Sequence, residues 1–335
     1  MSRDRQDAAS DEVEPPPARS WGRIAARIAT VLVVLLFVFY AINNREAMSG
    51  LLAVSWTTLV LVAVGRLLIF FSNGMFIKWT AEAFTRRLSM GEGIYVGILS
   101  AVGNFFGPLL GGASIRAVYL RRVHNLPYTK FTSTLMVYYV ILFAINFALA
   151  LIGLLALGEA PPLLIAVFGG GLLLLFASVS VRLPQRIRSD NPRRSGLTAR
   201  IVRYLIDIEE GWRRMLAMPQ LLVKLVGLAA ISIAGQLLIA VVSFSSIGAD
   251  IAWSALAVYV AIVAISLLVS VTPGALGVRE AMLLLVSETL RVTDNEIIQV
   301  AVIDRGVTFT LLFGLFLTTR SSRLRMRLSA GEGPD

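Results

Sequence analysis

Six apolar runs, at about 28–42, 51–71, 131–157, 163–181, 221–244 and 296–319, are separated by links rich in arginine or in small polar residues. About 20 apolar residues suffice to cross a bilayer as a helix. In hydrocarbon every backbone N–H and C=O must find a partner within the protein, which leaves the helix as the form for segments of this length. Composition agrees: 56% of the 335 residues are hydrophobic, 16% are charged, and the mean hydropathy is +0.76. A soluble domain could hardly bury that much apolar surface. The chain reads as an all-α polytopic membrane protein.

Charge sets the orientation. Lysine and arginine number 31 against 21 acidic residues, a formal net charge of +10. The excess sits in loops beside the spans, so it fits the positive-inside rule and attraction to anionic headgroups, and nucleic acid is excluded as a partner. The strongest signal is the basic loop and surface helix 182–220, with Arg182, Arg186, Arg188, Arg193 and Arg194 in its first half. Its second half places Ile201, Leu205, Ile208 and Trp212 at helical spacing, as in a helix lying on the membrane surface. Residues 1–20 read as a disordered cytoplasmic tail, 21–320 as one transmembrane domain, and 321–335 as a second cytoplasmic tail. Residues 72–89 read as a further interfacial helix, and Arg66 either faces the bundle interior or snorkels. There is no cysteine and one histidine, His124, which reads as a solvated loop residue. No metal site, thiolate nucleophile or cofactor is expected.

Two segments break the apolar pattern. Thr272-Pro273-Gly274-Ala275-Leu276-Gly277-Val278-Arg279-Glu280 interrupts an apolar region with a proline, two glycines and a pair of opposite charges. Proline removes a backbone donor and glycine removes the preference for helix. Broken backbone at membrane depth survives only where protein or a water-filled cavity covers it, and charge there marks a functional site. The second segment runs from Asn104 through Gly107, Pro108 and Gly112 to Arg116. Pro108/Gly112 and Pro273/Gly277 share a spacing of four. Interrupted segments in corresponding parts of two halves point to a transporter site at a repeat interface. The expected architecture is a helical bundle with two re-entrant, broken-helix hairpins at about 94–126 and 251–290, entering from opposite sides as an inverted repeat. Reading 251–290 as two full crossings is the alternative.

Asn104…Pro108…Gly112…Arg116, then Pro273-Gly274-x-Leu276-Gly277-Val278-x-Glu280, then Arg305 in the last span, resemble the lysylphosphatidylglycerol synthase transmembrane-region family, also called flippase-like. The resemblance covers roughly 25–320 in layout. It implies an inverted-repeat bundle in a bacterial-type inner membrane, associated with moving lipids between leaflets or supporting surface lipid and glycan assembly. The sequence departs from the family where an acidic residue commonly follows the first-motif glycine: here Gly112 is followed by Ala113-Ser114, so Arg116 lacks that local partner. Only a short tail follows Thr319, so synthesis of an aminoacyl lipid is not expected of this chain.

The functional expectation is a flippase or transporter of an anionic lipid or lipid-linked headgroup. Arg116, Arg279 and Arg305 are the candidate phosphate partners, since guanidinium binds such oxygens bidentately. Glu280 would hold Arg305 or Arg279, Asn104 would satisfy backbone freed at the first break, and amides near Gly112 and Gly277 would face the phosphate. Pro108 and Pro273 would shape the breaks. The alternative is a non-catalytic scaffold that recruits a membrane enzyme acting on lipid or glycan. Catalysis is not expected, because no nucleophile–base pair is visible.

Overall fold

The computed structural model describes residues 54–85, 88–106, 111–158, 160–180, 197–266, 275 and 277–329, with the backbone alone for 106, 197–199 and 316–329. Pro108, Pro273, the run 28–42, the arginines at 182–194 and both expected tails other than 321–329 lie outside the described residues. Those that are described form eleven helices and no strand. In order these are α1 (Trp56–Glu82), α2 (Met90–Phe106), α3 (Gly111–His124), α4 (Tyr128–Leu157), α5 (Pro162–Ser180), α6 (Leu197–Leu216), α7 (Pro219–Ser246), α8 (Trp253–Ser266), α9 (Val278–Leu284), α10 (Ser287–Leu290) and α11 (Asp294–Ser329).

Five of them, α1, α4, α5, α7 and the 294–315 part of α11, are long and apolar enough to cross a membrane. Local chemistry fixes their ends. Ser55 caps α1 by accepting the Thr58 N–H at 3.2 Å, Pro219 opens α7, and Gly158 closes α4 in a left-handed conformation with φ 76°. Along α5 only Phe168 is buried, while Leu173 and Leu174 are 72% and 73% exposed. Such a face is stable only against lipid or another apolar surface. The chain is a multi-pass membrane protein.

Apolar helices gain nothing from burying one another in lipid, so close backbone approach has to hold them together. The α1–α7 pair does this through facing glycines: a Cβ on Gly65 would lie 2.7 Å from the Gly235 carbonyl oxygen, and one on Gly235 2.6 Å from that of Gly65. Helix α8 packs along α4, and α11 touches α1, α2, α7 and α9. Phe143, Phe147, Phe244, Tyr259, Leu283 and Ile297 belong to the largest core cluster, where α4, α7, α8, α9 and α11 meet.

Beside the first sequence-predicted break α2 and α3 pack on each other, and beside the second α8 packs against both α9 and α10. Residues 278–290 span about 20 Å at 1.5 Å per residue and divide into α9 and α10.

Three expectations are corrected. Residues 72–82 are not a separate interfacial helix but the continuation of α1; Lys78, one of the charges that suggested a water surface, pairs with Glu82 at 2.5 Å, and the polar side chains before it bond other helices. Ser72 Oγ donates to the Leu228 carbonyl at 2.6 Å, and Asn73 Oδ1 accepts the Tyr138 hydroxyl at 2.7 Å. His124 is no loop residue: it ends α3, 2.6 Å from Glu92 Oε1, which also accepts the Tyr119 hydroxyl at 2.9 Å. This cluster ties the start of α2 to the end of α3. Burial pushes the Glu92 carboxyl up, but the bonds from His124 and Tyr119 outweigh it and hold it below its ordinary value. Lastly, α6 is amphipathic but only partly superficial. Ile201 and Leu205 are exposed, whereas Ile208 and Trp212 are buried, and the Ile208 carbonyl accepts the Ser133 hydroxyl of α4 at 2.8 Å.

Substituting Gly235 with leucine is expected to destabilise the purified protein by about 1–3 kcal/mol through overpacking, seen as a lower Tm in detergent. Leucine at Gly227, where a Cβ would meet nothing within 4 Å, is the control and should change little.

Candidate functional site

The second break is built so that a short helix delivers two charges to a long one. Ala275 and Gly277 both take positive φ, 53° and 79°, which turns the chain into α9. Glu280, three residues past Gly277, reaches back and accepts the Gly277 N–H at 2.9 Å. Arg279 and Glu280 then face Asp304 and Arg305 on α11, and Arg66 enters from α1.

The five side chains form one ion chain. Arg66 pairs with Asp304 Oδ1. Arg279 Nη1 donates to Asp304 Oδ2 at 2.7 Å, and its Nε lies 3.5 Å from Glu280 Oε1, an ion-pair contact rather than a hydrogen bond. Arg305 grips Glu280 with Nε at 2.9 Å and Nη2 at 2.7 Å, both on Oε1, and its Nη2 lies 3.1 Å from Oε2. The Ala275 carbonyl accepts from Arg305 Nη2 at 3.3 Å. Asp304 is 5% exposed and Arg279 9%. Each charge here would be costly alone in an apolar interior, and pairing is what permits it.

Pairing is incomplete. Among the described residues, three guanidinium groups, of Arg66, Arg279 and Arg305, face two carboxylates, of Asp304 and Glu280. Arg66 Nε and Arg279 Nε and Nη2 are buried with no hydrogen-bond acceptor among the described residues. Buried donors of charged groups without acceptors are expensive, and a site that binds an anion has a use for them.

The first break uses the same device with a neutral side chain: Asn104 Oδ1 accepts the Gly112 N–H at 2.8 Å. The glycine is needed for space, since a Cβ at Gly112 would sit 2.1 Å from the Ser100 carbonyl oxygen. The amides of Gly112 and Gly277, expected to face a phosphate, are therefore both engaged by the chain's own side chains in this conformation. The α2 end reaches α11 through Phe105, whose ring lies 6.2 Å from that of Phe309, one helical turn beyond Arg305.

Of the sequence-predicted residues, Gly277, Arg279, Glu280 and Arg305 come together, and Asn104 and Gly112 meet each other. Arg116 joins neither group. It is buried against Tyr138, beside Phe76 and Thr80 of α1. Those residues lie ten to fourteen positions beyond Arg66, about 15–21 Å along the helix. Sequence reasoning left Arg66 and Asp304 out of the site. Both were visible as charges within apolar runs, and the 238 residues between them hide their pairing.

A bundle of membrane-crossing helices with a charged, incompletely neutralised cluster at a helix break defines a polytopic membrane protein with an internal polar site. The family model for the lysylphosphatidylglycerol synthase TM region matches residues 24–315, and the chain belongs to that family. No curated protein gives a significant match.

Asp304 hydrogen-bonds two guanidiniums and its side chain is 6% exposed, whereas Glu280 hydrogen-bonds only that of Arg305 and is 17% exposed. Asp304→Asn is therefore expected to lower stability more than Glu280→Gln, by about 3–5 kcal/mol, the usual cost of breaking a buried pair. Chemical or thermal unfolding in mild detergent measures the order, and an equal or reversed order would remove Asp304 from the centre of the cluster.

Proposed function

We propose that the chain binds the anionic headgroup of a membrane lipid at the Arg66–Asp304–Arg279–Glu280–Arg305 cluster and carries it between leaflets without altering it chemically. The observation that carries this reading is, among the described residues, three guanidinium groups to two carboxylates, with three buried guanidinium nitrogens, Arg66 Nε and Arg279 Nε and Nη2, lacking acceptors. One phosphodiester brings one negative charge and two unesterified oxygens, which would neutralise the cluster and accept from those donors. Moving a charged headgroup through hydrocarbon unaided costs far more than thermal energy, so a polar station inside the bundle lowers the barrier by standing in for water.

Two further features support it. Both helix–break–helix units have arms that fall outside the five membrane-crossing helices, and on this reading they are re-entrant from opposite sides. The family description names the membrane region of a lysylphosphatidylglycerol synthase, which makes a phosphatidylglycerol the first lipid to try. The arginine-rich 182–220 segment and both termini are then cytoplasmic, in an inner membrane.

The test is a liposome assay with the purified chain, fluorescent phosphatidylglycerol and a membrane-impermeant quencher. Faster exchange between leaflets than in empty liposomes is expected. Arg279→Lys, which keeps the charge but loses the fork, should slow it by about 10–100-fold, the worth of one charge-assisted contact. Unchanged exchange in that variant, or equal exchange of a lipid with no net charge, would overturn the assignment. So would a loss of function on deleting residues 198–216 with no lipid movement by the intact protein, since that outcome belongs to a scaffold.

A further inference from the structure

The corner where α6 ends and α7 begins carries two cations that the chain does not neutralise. Arg214 and Lys224 are both exposed, and neither has a carboxylate partner among the described residues. Each is held instead over an aromatic ring at the end of α1. The Arg214 guanidinium carbon lies 5.5 Å from the Phe84 ring centroid, and Lys224 Nζ lies 5.5 Å from that of Trp79. The cations beside them differ. Arg213 Nε donates to Glu209 Oε1 at 2.9 Å, and Lys130 Nζ donates to the Asp207 carbonyl at 3.1 Å with Glu210 Oε2 3.9 Å away. A ring face restrains a cation without cancelling its charge, so Arg214 and Lys224 keep N–H groups for an acceptor from outside the chain.

This corner stands at headgroup depth. The 27 residues of α1 span about 40 Å at 1.5 Å per residue, against a hydrocarbon core of about 30 Å, so the last turn emerges from it. Trp79 lies in that turn, at the level where tryptophan meets the headgroups. Lys224 sits near the start of α7, and its long side chain reaches back toward the same level. Both rings are anchored: Trp79 and Phe84 pack on a core cluster that holds Trp212 and Met215 of α6 and Leu225 of α7. Val223 and Val226, 73% and 47% exposed, leave an apolar face next to Lys224.

We propose that Arg214, Lys224 and Trp79 form a peripheral site for the headgroup of an anionic phospholipid, which fastens the α6–α7 corner to the leaflet on that side. Charge and depth together select a lipid. Its phosphate meets the two ring-held cations while its acyl chains lie against Val223 and Val226, whereas a free phosphate meets the cations alone. The site stands independently of the proposed transport, since it uses none of the five residues of the ion chain.

Native mass spectrometry of the full chain in mild detergent, titrated with dioleoyl-phosphatidylglycerol, tests it. One cation at a membrane surface is worth about fivefold in affinity, so the Arg214→Gln/Lys224→Gln double variant should bind one of the lipids about 25-fold more weakly. Each single variant should weaken it about fivefold, which covers a double variant that does not fold. Trp79→Leu removes the platform but keeps the charge and should weaken it about two- to fivefold. Arg213→Gln, whose guanidinium Glu209 already engages, should leave it unchanged, and binding of dioleoyl-phosphatidylcholine should not differ between wild type and double variant. Arg279→Met should keep this lipid, and the double variant should keep the exchange of phosphatidylglycerol between leaflets, so failure of the transport reading and failure of this one give different patterns. Unchanged phosphatidylglycerol binding in the double variant, an equal loss in Arg213→Gln or with phosphatidylcholine, or displacement of the lipid by an equal concentration of inorganic phosphate would overturn the site.

Discussion

The bond that the rest of the molecule leans on is the one Asp304 makes in two directions, to Arg66 of α1 and to Arg279 of α9. Charges cannot be left bare in an apolar bundle, so each of the three helices is rotated to the angle at which its charge meets the others. For α9, seven residues long, this matters most. A helix that short has little stability of its own, and packing and charge pairing must hold it. Asp304 and Glu280 dock it to α11 from two sides, and the left-handed turn at Ala275 and Gly277 is held closed by the same Glu280.

Where the sequence was informative, the signal was local. Long apolar runs gave the membrane-crossing helices, and the glycines of the two Pro–Gly motifs stand at the starts of α3 and α9. It misled wherever a polar residue had its partner far along the chain. In one dimension the charges of the stretch from 72 separate it from α1, yet Ser72 bonds Leu228 of α7 and Asn73 bonds Tyr138 of α4, far along the chain, and only Lys78 has a near partner, Glu82 at 2.5 Å. His124 was misplaced for the same reason, its partner Glu92 being 32 residues away. Arg66 could not be oriented from sequence because snorkelling and an inward ion pair leave the same trace in composition.

Glycine carries two meanings that a pattern search merges. At Gly277 the backbone needs a positive φ, while at Gly112 it needs room, because the Ser100 carbonyl and Asn104 side chain occupy the space of a Cβ. The shared Pro–x–x–x–Gly spacing therefore marks two helix breaks by different physics. What the two breaks do have in common is a side-chain oxygen placed on the glycine amide, from Asn104 in one and Glu280 in the other. One is neutral and the other charged: Glu280 pairs with Arg305 and Arg279 at the second, whereas Arg116 beside the first meets no carboxylate among the described residues.

A network this strongly paired resembles a rigid structural clamp, but its connectivity differs from that of one. Glu280 Oε1 lies within ion-pair distance of both Arg279 and Arg305, and Asp304 serves both Arg66 and Arg279. Because partners are shared, the phosphate of the proposed function would take one guanidinium while the displaced carboxylate keeps the other, so no step would leave a bare charge in a low-dielectric interior. A clamp of isolated pairs would have to expose two charges to admit a third, at a cost of several kcal/mol for each ion. That sharing is why the proposed exchange of an anion with the protein's own carboxylates is compatible with so strongly paired a network.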